Sequence, residues 1–236
     1  MYDFDEAEKS NGNIKEDFTL YTYNEADKID KTGETYGKRK VACEDILLNQ
    51  DWLNTIILRP ALIIGHHDHS DRLYYWFYRT KTQNSFIIPN NGKDPISYTD
   101  VLDLSKMMIQ SIDVDNKHHI YNTISYNASL NQFVQLAAKH LNTEPKLINA
   151  SPAFIKEHKI KIWTEFPLWV EGDCHTQSGS RLQKDYNFTF STIAETTERL
   201  MDYYGNGMKW RDVRESKWGQ MSMTPEREAE LMKLLV

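Results

Sequence analysis

The chain has 236 residues, of which 40% are hydrophobic and 26% charged, and its formal net charge is −6. That is globular composition, long enough to bury a core for one large domain or one and a half. The acidic balance excludes a nucleic-acid groove or an anionic membrane as the main partner, because no basic stripe offsets phosphate charge.

Residues 1 to about 32 are polar, acidic and aperiodic, a loop feeding a helix that runs from Tyr36 to about Asn49, with Thr32 or Thr35 as its cap. Thr55 to Ile64 is a run of branched aliphatics interrupted by Arg59-Pro60 and bounded by Gly65, the pattern of a parallel strand buried on both faces. Pro60 removes a ladder donor, so the strand must end or bulge there. A polar turn, His66 to Ser70, leads into an aromatic helix over Arg72 to Arg79. Ser85 to Pro89 and Ile96 to Tyr98 are short strands around an Asn90-Asn91-Gly92 turn. Thr99 caps a helix to about Ile112, His119 to Ile124 is a further strand, and Ser129 caps a helix to Leu141. Lys146 to Asn149 is strand-like and Ser151 starts another helical piece. A segment with Trp163 and Trp169 follows, then a helix from about Ser191 to Tyr204 and a last one opened by Thr224-Pro225-Glu226. Strands alternating with helices argue for an α/β fold with a parallel sheet.

Two cysteines, Cys43 and Cys174, make no disulfide framework and point to a reducing, cytoplasmic setting. No apolar stretch approaches the length of about eighteen residues that a membrane helix needs, and the acidic start resembles no signal peptide. Asn127-Ala128-Ser129 and Asn187-Phe188-Thr189 fit the glycosylation pattern, which carries little weight without a secretion signal.

Tyr36 and Lys40 carry the clearest chemistry. Four residues apart on a helix, a tyrosine and a lysine lie one above the other on the same face. A phenol with a reference pKa of about 10 is a poor base at neutral pH, and a neighbouring ammonium favours its phenolate, so the pair suits proton transfer at a substrate hydroxyl. The other clusters have blander readings. His66-His67-Asp68-His69 is a solvated polar turn, since adjacent side chains rarely converge on one ion, and His118-His119 faces two ways on a strand; no metal is expected. Cys174-His175 has no orienting third group for a nucleophile, and Cys43, on the Tyr36 face, reads as a small buried hydrophobe. Gly205-Asn206-Gly207 is a helix stop, because Trp210 stands where a third glycine would be.

In this order the signals resemble the extended and atypical short-chain dehydrogenase/reductase superfamily, the NAD-dependent epimerase/dehydratase type. Tyr36 and Lys40 match its Tyr-x-x-x-Lys, Leu58-Arg59-Pro60 through Gly65 its Arg-Pro strand and Gly turn, and Tyr98-Thr99-Asp100-Val101 its entry to a later helix. Asp68 with Asp71-Arg72, Tyr75-Trp76 and Phe166-Pro167-Leu168-Trp169 look like a bacterial subgroup of uncertain substrate. The resemblance implies the later part of a Rossmann-type doubly wound parallel sheet, residues 1–69 and 99–126, plus a small mixed α/β substrate-binding lobe, residues 70–98 and 127–236. It implies Tyr36 as general acid/base, Lys40 on the nicotinamide ribose of NAD or NADP, and Pro60, Ala61 and Leu62 presenting backbone groups to the carboxamide. A small-molecule substrate would meet Arg72, Tyr75, Trp76 and Trp169, and a homodimer would form through the Tyr36 helix.

The chain departs from that pattern at one end. A dinucleotide site needs a glycine-rich turn between the first strand and helix, and the sequence holds none. The family's catalytic serine or threonine would fall just before Met1, and Ser10 lies too far along to replace it. The expectation is therefore an N-terminally truncated enzyme, inactive as it stands, or a non-catalytic remnant serving as a binding module. A strand deprived of one neighbour should leave the chain marginally stable or self-associating.

Overall fold

The computed structural model describes residues 1–112, 119–207 and 209–235. In chain order the helices are α1 (Phe4–Ala7), α2 (Glu25–Ile29), α3 (Tyr36–Leu48), α4 (Arg72–Thr82), α5 (Val101–Gln110), α6 (Leu130–Leu141), α7 (Pro152–Glu157), α8 (Ser180–Tyr186), α9 (Ile193–Asp202), α10 (Lys217–Met221) and α11 (Pro225–Leu235). The strands are β1 (Ile56–Pro60), β2 (Leu62–Ile64), β3 (Ser85–Pro89), β4 (Pro95–Asp100), β5 (His119–Thr123), β6 (Tyr126–Ser129) and β7 (Lys146–Ala150). The chain divides into two compact units whose boundaries run through β2 and β4: residues 1–63, 97–125 and 174–190 form the first, and 64–96, 126–173 and 191 onward the second.

In the first unit β1 runs parallel to β5, from Ile56 opposite His119 to Pro60 opposite Thr123. Pro60 ends β1 as its missing donor requires, and the extended run resumes only at Leu62. Burial along β1 alternates rather than covering both faces, with Ile57 and Arg59 inside. Met107 of α5, Tyr121 of β5 and Leu182, Phe188 and Phe190 make the core. That packing, with Tyr121 donating to Asp185 at 3.0 Å and the Gln177 amide to Ser97 at 2.7 Å, draws residues 174–190 into this unit and away from the lobe where the sequence placed them. The first 32 residues are not a featureless loop either. Tyr2, Ala7 and Ile14 bury against Phe18 and Leu20, Tyr2 bridges Leu20 antiparallel, and Asn24 closes a capping box with Asp27. The Tyr2–Leu20 bridge spans eighteen positions, which no local pattern announces, whereas the Asn24–Asp27 box is local and was overlooked.

In the second unit β3 pairs in parallel with β7, Phe86, Ile87 and Ile88 are buried, α11 packs on both strands, and α6 packs against α4 and α9. Helix α6 starts at the Ser129–Gln132 capping box, and α7 at Ser151 with Pro152 in its first turn. Gly92 closes the turn after β3 at φ +62°, where a Cβ would come within 2.4 Å of Ile88 Cδ1 and 2.9 Å of the Asn131 nitrogen. Aromatic α4 is core: Tyr74, Trp76 and Phe77 are fully buried, and Phe77 meets Phe133 edge-on at 6.1 Å. One cap differs from expectation. Asp100, not Thr99, caps α5 by accepting from the Leu102 amide at 2.8 Å, since the Thr99 hydroxyl is engaged elsewhere.

Candidate functional site

Helix α3 is held in the first unit mainly by polar contacts. Its start rests on Asp30, whose carboxylate accepts from the Thr32 hydroxyl at 2.6 Å, the Thr32 amide at 3.0 Å and the Thr35 hydroxyl at 2.9 Å. The Thr32 side chain, then its amide, then Thr35 hold that carboxyl down at about 2. Thr35 occupies the N-cap position with its hydroxyl turned to Asp30, so neither threonine caps the helix amides. Lys38 pairs with Asp27 at 3.1 Å, Arg39 donates to the Thr32 carbonyl at 2.7 Å, and Tyr23 donates to Asp45 at 2.8 Å. Gly37 leaves room for the Tyr21 ring, which a Cβ would meet at 2.5 Å.

Tyr36 and Lys40 come together on the solvent face. The Tyr36 side chain is half exposed, and the Lys40 ammonium lies 5.7 Å from its ring centroid. Cys43 shares this face and is therefore exposed, not the buried hydrophobe expected; the buried positions of α3 are Gly37, Val41 and Ala42. One turn beyond Lys40, Glu44 ties the helix to β1. Arg59 grips its carboxylate from Nε at 3.0 and 3.2 Å and from Nη2 at 2.5 Å. Arg59 Nη1 also donates to the Tyr2 hydroxyl at 3.2 Å and to the Glu16 carbonyl at 3.1 Å. Tyr2 donates in turn to Asn122, whose amide donates to Glu16 Oε1 at 2.9 Å. Burial works against the Arg59 charge and is outweighed by the Glu44 and Tyr2 hydrogen bonds, so its pKa is raised. Tyr2 is pushed up, chiefly by burial. This network was missed in the sequence, although a charge inside a run of branched aliphatics requires a partner.

Pro60, Ala61 and Leu62 stand at the carboxyl end of β1, where ligands of parallel α/β sheets bind. Pro60 has no amide proton, and the Ala61 amide is already engaged, donating to the Thr99 hydroxyl at 2.9 Å while Thr99 donates to the Thr123 carbonyl. Ala61 therefore presents no free donor to a carboxamide. Ser10 is likewise committed locally, donating to the Ala7 carbonyl at 2.7 Å.

The expected substrate contacts lie in the second unit and are mostly core. Trp76, fully buried, donates to the Pro167 carbonyl at 2.8 Å; Trp169, 2% exposed, donates to Asp94 at 2.8 Å; Tyr75, 2% exposed, accepts from Arg79 at 2.8 Å. These three offer no surface to a ligand: Tyr75 and Trp76 are buried by packing of the aromatic helix, and Trp169 by its bond to Asp94 and its edge-on contact with Phe166. Arg72 is partly exposed, donating to the Ser70 hydroxyl at 3.0 Å and lying 5.5 Å from the Trp218 ring. His66, His67 and His69 are exposed, and His66 stacks on Tyr203 at 4.4 Å. His118 lies outside the described residues. Among the described residues no three His, Cys, Asp or Glu side chains group as a metal site, and no helix is long and apolar enough to cross a membrane.

No protein-family model matches the chain, and no curated protein matches it. Solved structures do. The dTDP-glucose 4,6-dehydratase of Bacillus anthracis, in complex with NAD, superposes with a TM-score of 0.60 at 10% identity over 84% of this chain and 58% of its own. RMD from Pseudomonas aeruginosa, complexed with NADPH, gives 0.56 at 14% identity over 80% of this chain and 58% of its own. The UDP-glucose 4-epimerase of Thermotoga maritima, with UDP-glucose, gives 0.56 at 14% over 74% and 54%. This chain has a Rossmann-type α/β fold. It spans 54–58% of the length of these three structures.

Proposed function

We propose that this chain carries the proton-transfer pair and part of the substrate lobe of an NAD(P)-dependent oxidoreductase, epimerase or dehydratase of the short-chain dehydrogenase/reductase superfamily. The substrate class is a sugar nucleotide or a similar small hydroxyl or carbonyl compound. The observation that carries the reading is the Lys40 ammonium 5.7 Å over the half-exposed Tyr36 ring, on a helix clamped to the strand that ends at Pro60. Tyr36 gives or takes the proton at the substrate oxygen. Lys40 stabilises the charge that then develops on the phenol and holds the hydroxyls of the nicotinamide ribose. A bound nicotinamide would supply the hydride acceptor or donor. Arg72 is the partly exposed member of the four lobe residues and stays the lobe's candidate substrate contact.

Of such a cofactor, this reading gives a partner only to the nicotinamide ribose, through Lys40. The ten glycines include no G-x-G-x-x-G turn to let backbone amides approach a pyrophosphate. We therefore infer that this chain corresponds to the later part of the enzyme and turns over nothing alone. The homodimer through α3 and a cytoplasmic location belong to the same reading.

Parallel fluorescence titrations with NADH, NADPH and reduced nicotinamide mononucleotide test it. Saturable binding that Tyr36→Phe and Lys40→Met weaken, with the mononucleotide binding about as well as the dinucleotides, is the expected result. A second reading, a non-catalytic remnant acting as a binding module, is favoured by the missing glycine-rich turn and by the engaged Ala61 amide. Failure of all three nucleotides to bind at millimolar concentration would leave that reading in place of the first.

A further inference from the structure

Tyr36, Lys40 and Glu44 form one stripe along α3, each a turn beyond the last. On such a stripe a lysine and a glutamate four apart are natural partners. Lys40 nevertheless lies over the Tyr36 ring, one turn the other way. Glu44 is engaged by Arg59 through three contacts of 3.0, 3.2 and 2.5 Å, and the Met1 amino group stands 3.9 Å away. The Arg59 fork is itself immobilised. It is buried within β1, lies 5.1 Å from the Tyr2 ring centroid, and donates to Tyr2 and the Glu16 carbonyl. A planar, bidentate guanidinium occupies a carboxylate more completely than a lysine does.

We propose that the Arg59–Glu44 pair is a positioning device which, by occupying the carboxylate one turn away, keeps the Lys40 ammonium on the Tyr36 ring. The claim deepens the functional reading above and rests on it for its catalytic meaning: released from Arg59, Glu44 would take Lys40, and the phenol would lose its cation. Arg59 thus acts through two other side chains without meeting substrate.

The test reads the position of Lys40 directly. The full chain is reductively methylated with 13C-formaldehyde, which keeps each lysine cationic, and the Lys40 dimethylamino signal is assigned with Lys40→Arg. Its upfield ring-current displacement, absent in Tyr36→Leu, marks the ammonium over the ring. Arg59→Met should abolish that displacement, and the double variant Arg59→Met with Glu44→Gln should restore it, because no carboxylate then competes. An Arg59 that merely supported the fold would give no such rescue. Since Arg59 is buried and Arg59→Met can unfold the unit, Cys43→Asp supplies a second arm. It places an uncommitted carboxylate three residues from Lys40 on the exposed face, and should draw the ammonium off the ring where Cys43→Asn does not. A Lys40 signal indifferent to Arg59→Met or to Cys43→Asp, or loss without rescue in the double variant, overturns the proposal. No nucleotide enters these spectra, so failure of all three nucleotide titrations sinks the enzymatic reading and leaves this one standing, and the reverse holds equally.

Discussion

The second unit depends on a buried ion pair whose removal has a calculable cost. Arg79 of α4 and Glu228 of α11, their side chains 3% and 7% exposed, pair directly, and Glu228 also accepts the Ile87 amide of β3 at 2.7 Å. Arg79 adds hydrogen bonds to Tyr75 at 2.8 Å and Gln83 at 3.0 Å, and lies 4.7 Å from the Phe86 ring centroid. Glu228→Met would strand the guanidinium, at about 3–5 kcal/mol, and orphan the Ile87 amide, at about 1–3 kcal/mol. The combined loss, roughly 4–8 kcal/mol, is a large part of the about 5–15 kcal/mol that holds a typical domain folded. Replacing both charges, Arg79→Leu with Glu228→Met, removes the stranded charge and leaves the Ile87 amide and the buried Tyr75 hydroxyl without their partners, about 1–3 kcal/mol each. Urea unfolding followed by tryptophan emission reports on this unit, since Trp76, Trp163, Trp169, Trp210 and Trp218 lie in it and only Trp52 does not. The double variant should be more stable than Glu228→Met alone. Costs that simply add, or a Glu228→Met loss under about 1 kcal/mol, would refute the account of this pair as a desolvated, mutually dependent one.

Trp169→Phe keeps most of the buried ring but removes the indole donor to Asp94, which retains Asn90 and the Gly172 amide; a loss of about 1.5–3 kcal/mol in the same urea assay is expected, as for a hydrogen bond to a charged group. Asp30 should titrate at about 2 in carboxyl NMR. Its folded value is depressed, so its support for the start of α3 is complete above about pH 4, the ordinary carboxylate range, and lost as pH falls through 2; a titration near the ordinary value would mean that the Thr32 and Thr35 contacts are absent. His175, edge-on to Phe4 at 5.4 Å, has its pKa lowered by burial. The unfolded chain then binds the proton first as pH drops below about 6.5, so the first unit should lose stability from there downward, and His175→Phe should flatten that part of the thermal-melting profile.

What the sequence made legible was local. The Pro60 break, the Ser129 and Ser151 caps and the Tyr36–Lys40 alignment each follow from residues within a few positions of one another. What it hid was long-range. Tyr2 and Asn122 meet across 120 positions, and Trp169 reaches Asp94 across 75, pairings that no periodicity announces. Aromatic residues offered as substrate contacts became core for the same reason: Trp76 and Trp169 carry a polar edge, and the fold supplies each with an internal acceptor, leaving nothing directed outward.

Helix α3 shows why a polar segment can still be well placed. Its apolar residues Ile46 and Leu47 are 59% and 41% exposed, so burial alone cannot fix its orientation. Position comes instead from Asp27 on Lys38, Asp45 on Tyr23 and Arg59 on Glu44. The first is partly exposed and the last buried, so their sensitivity to salt differs: screening at high ionic strength weakens the Lys38 contact and leaves the Arg59 one nearly intact. The clamp from β1 is therefore the contact that sets where the stripe points. A strand arginine which looks in sequence like an interruption of an apolar run is, in the folded chain, the fixed reference for the tyrosine and lysine two turns and one turn before its partner.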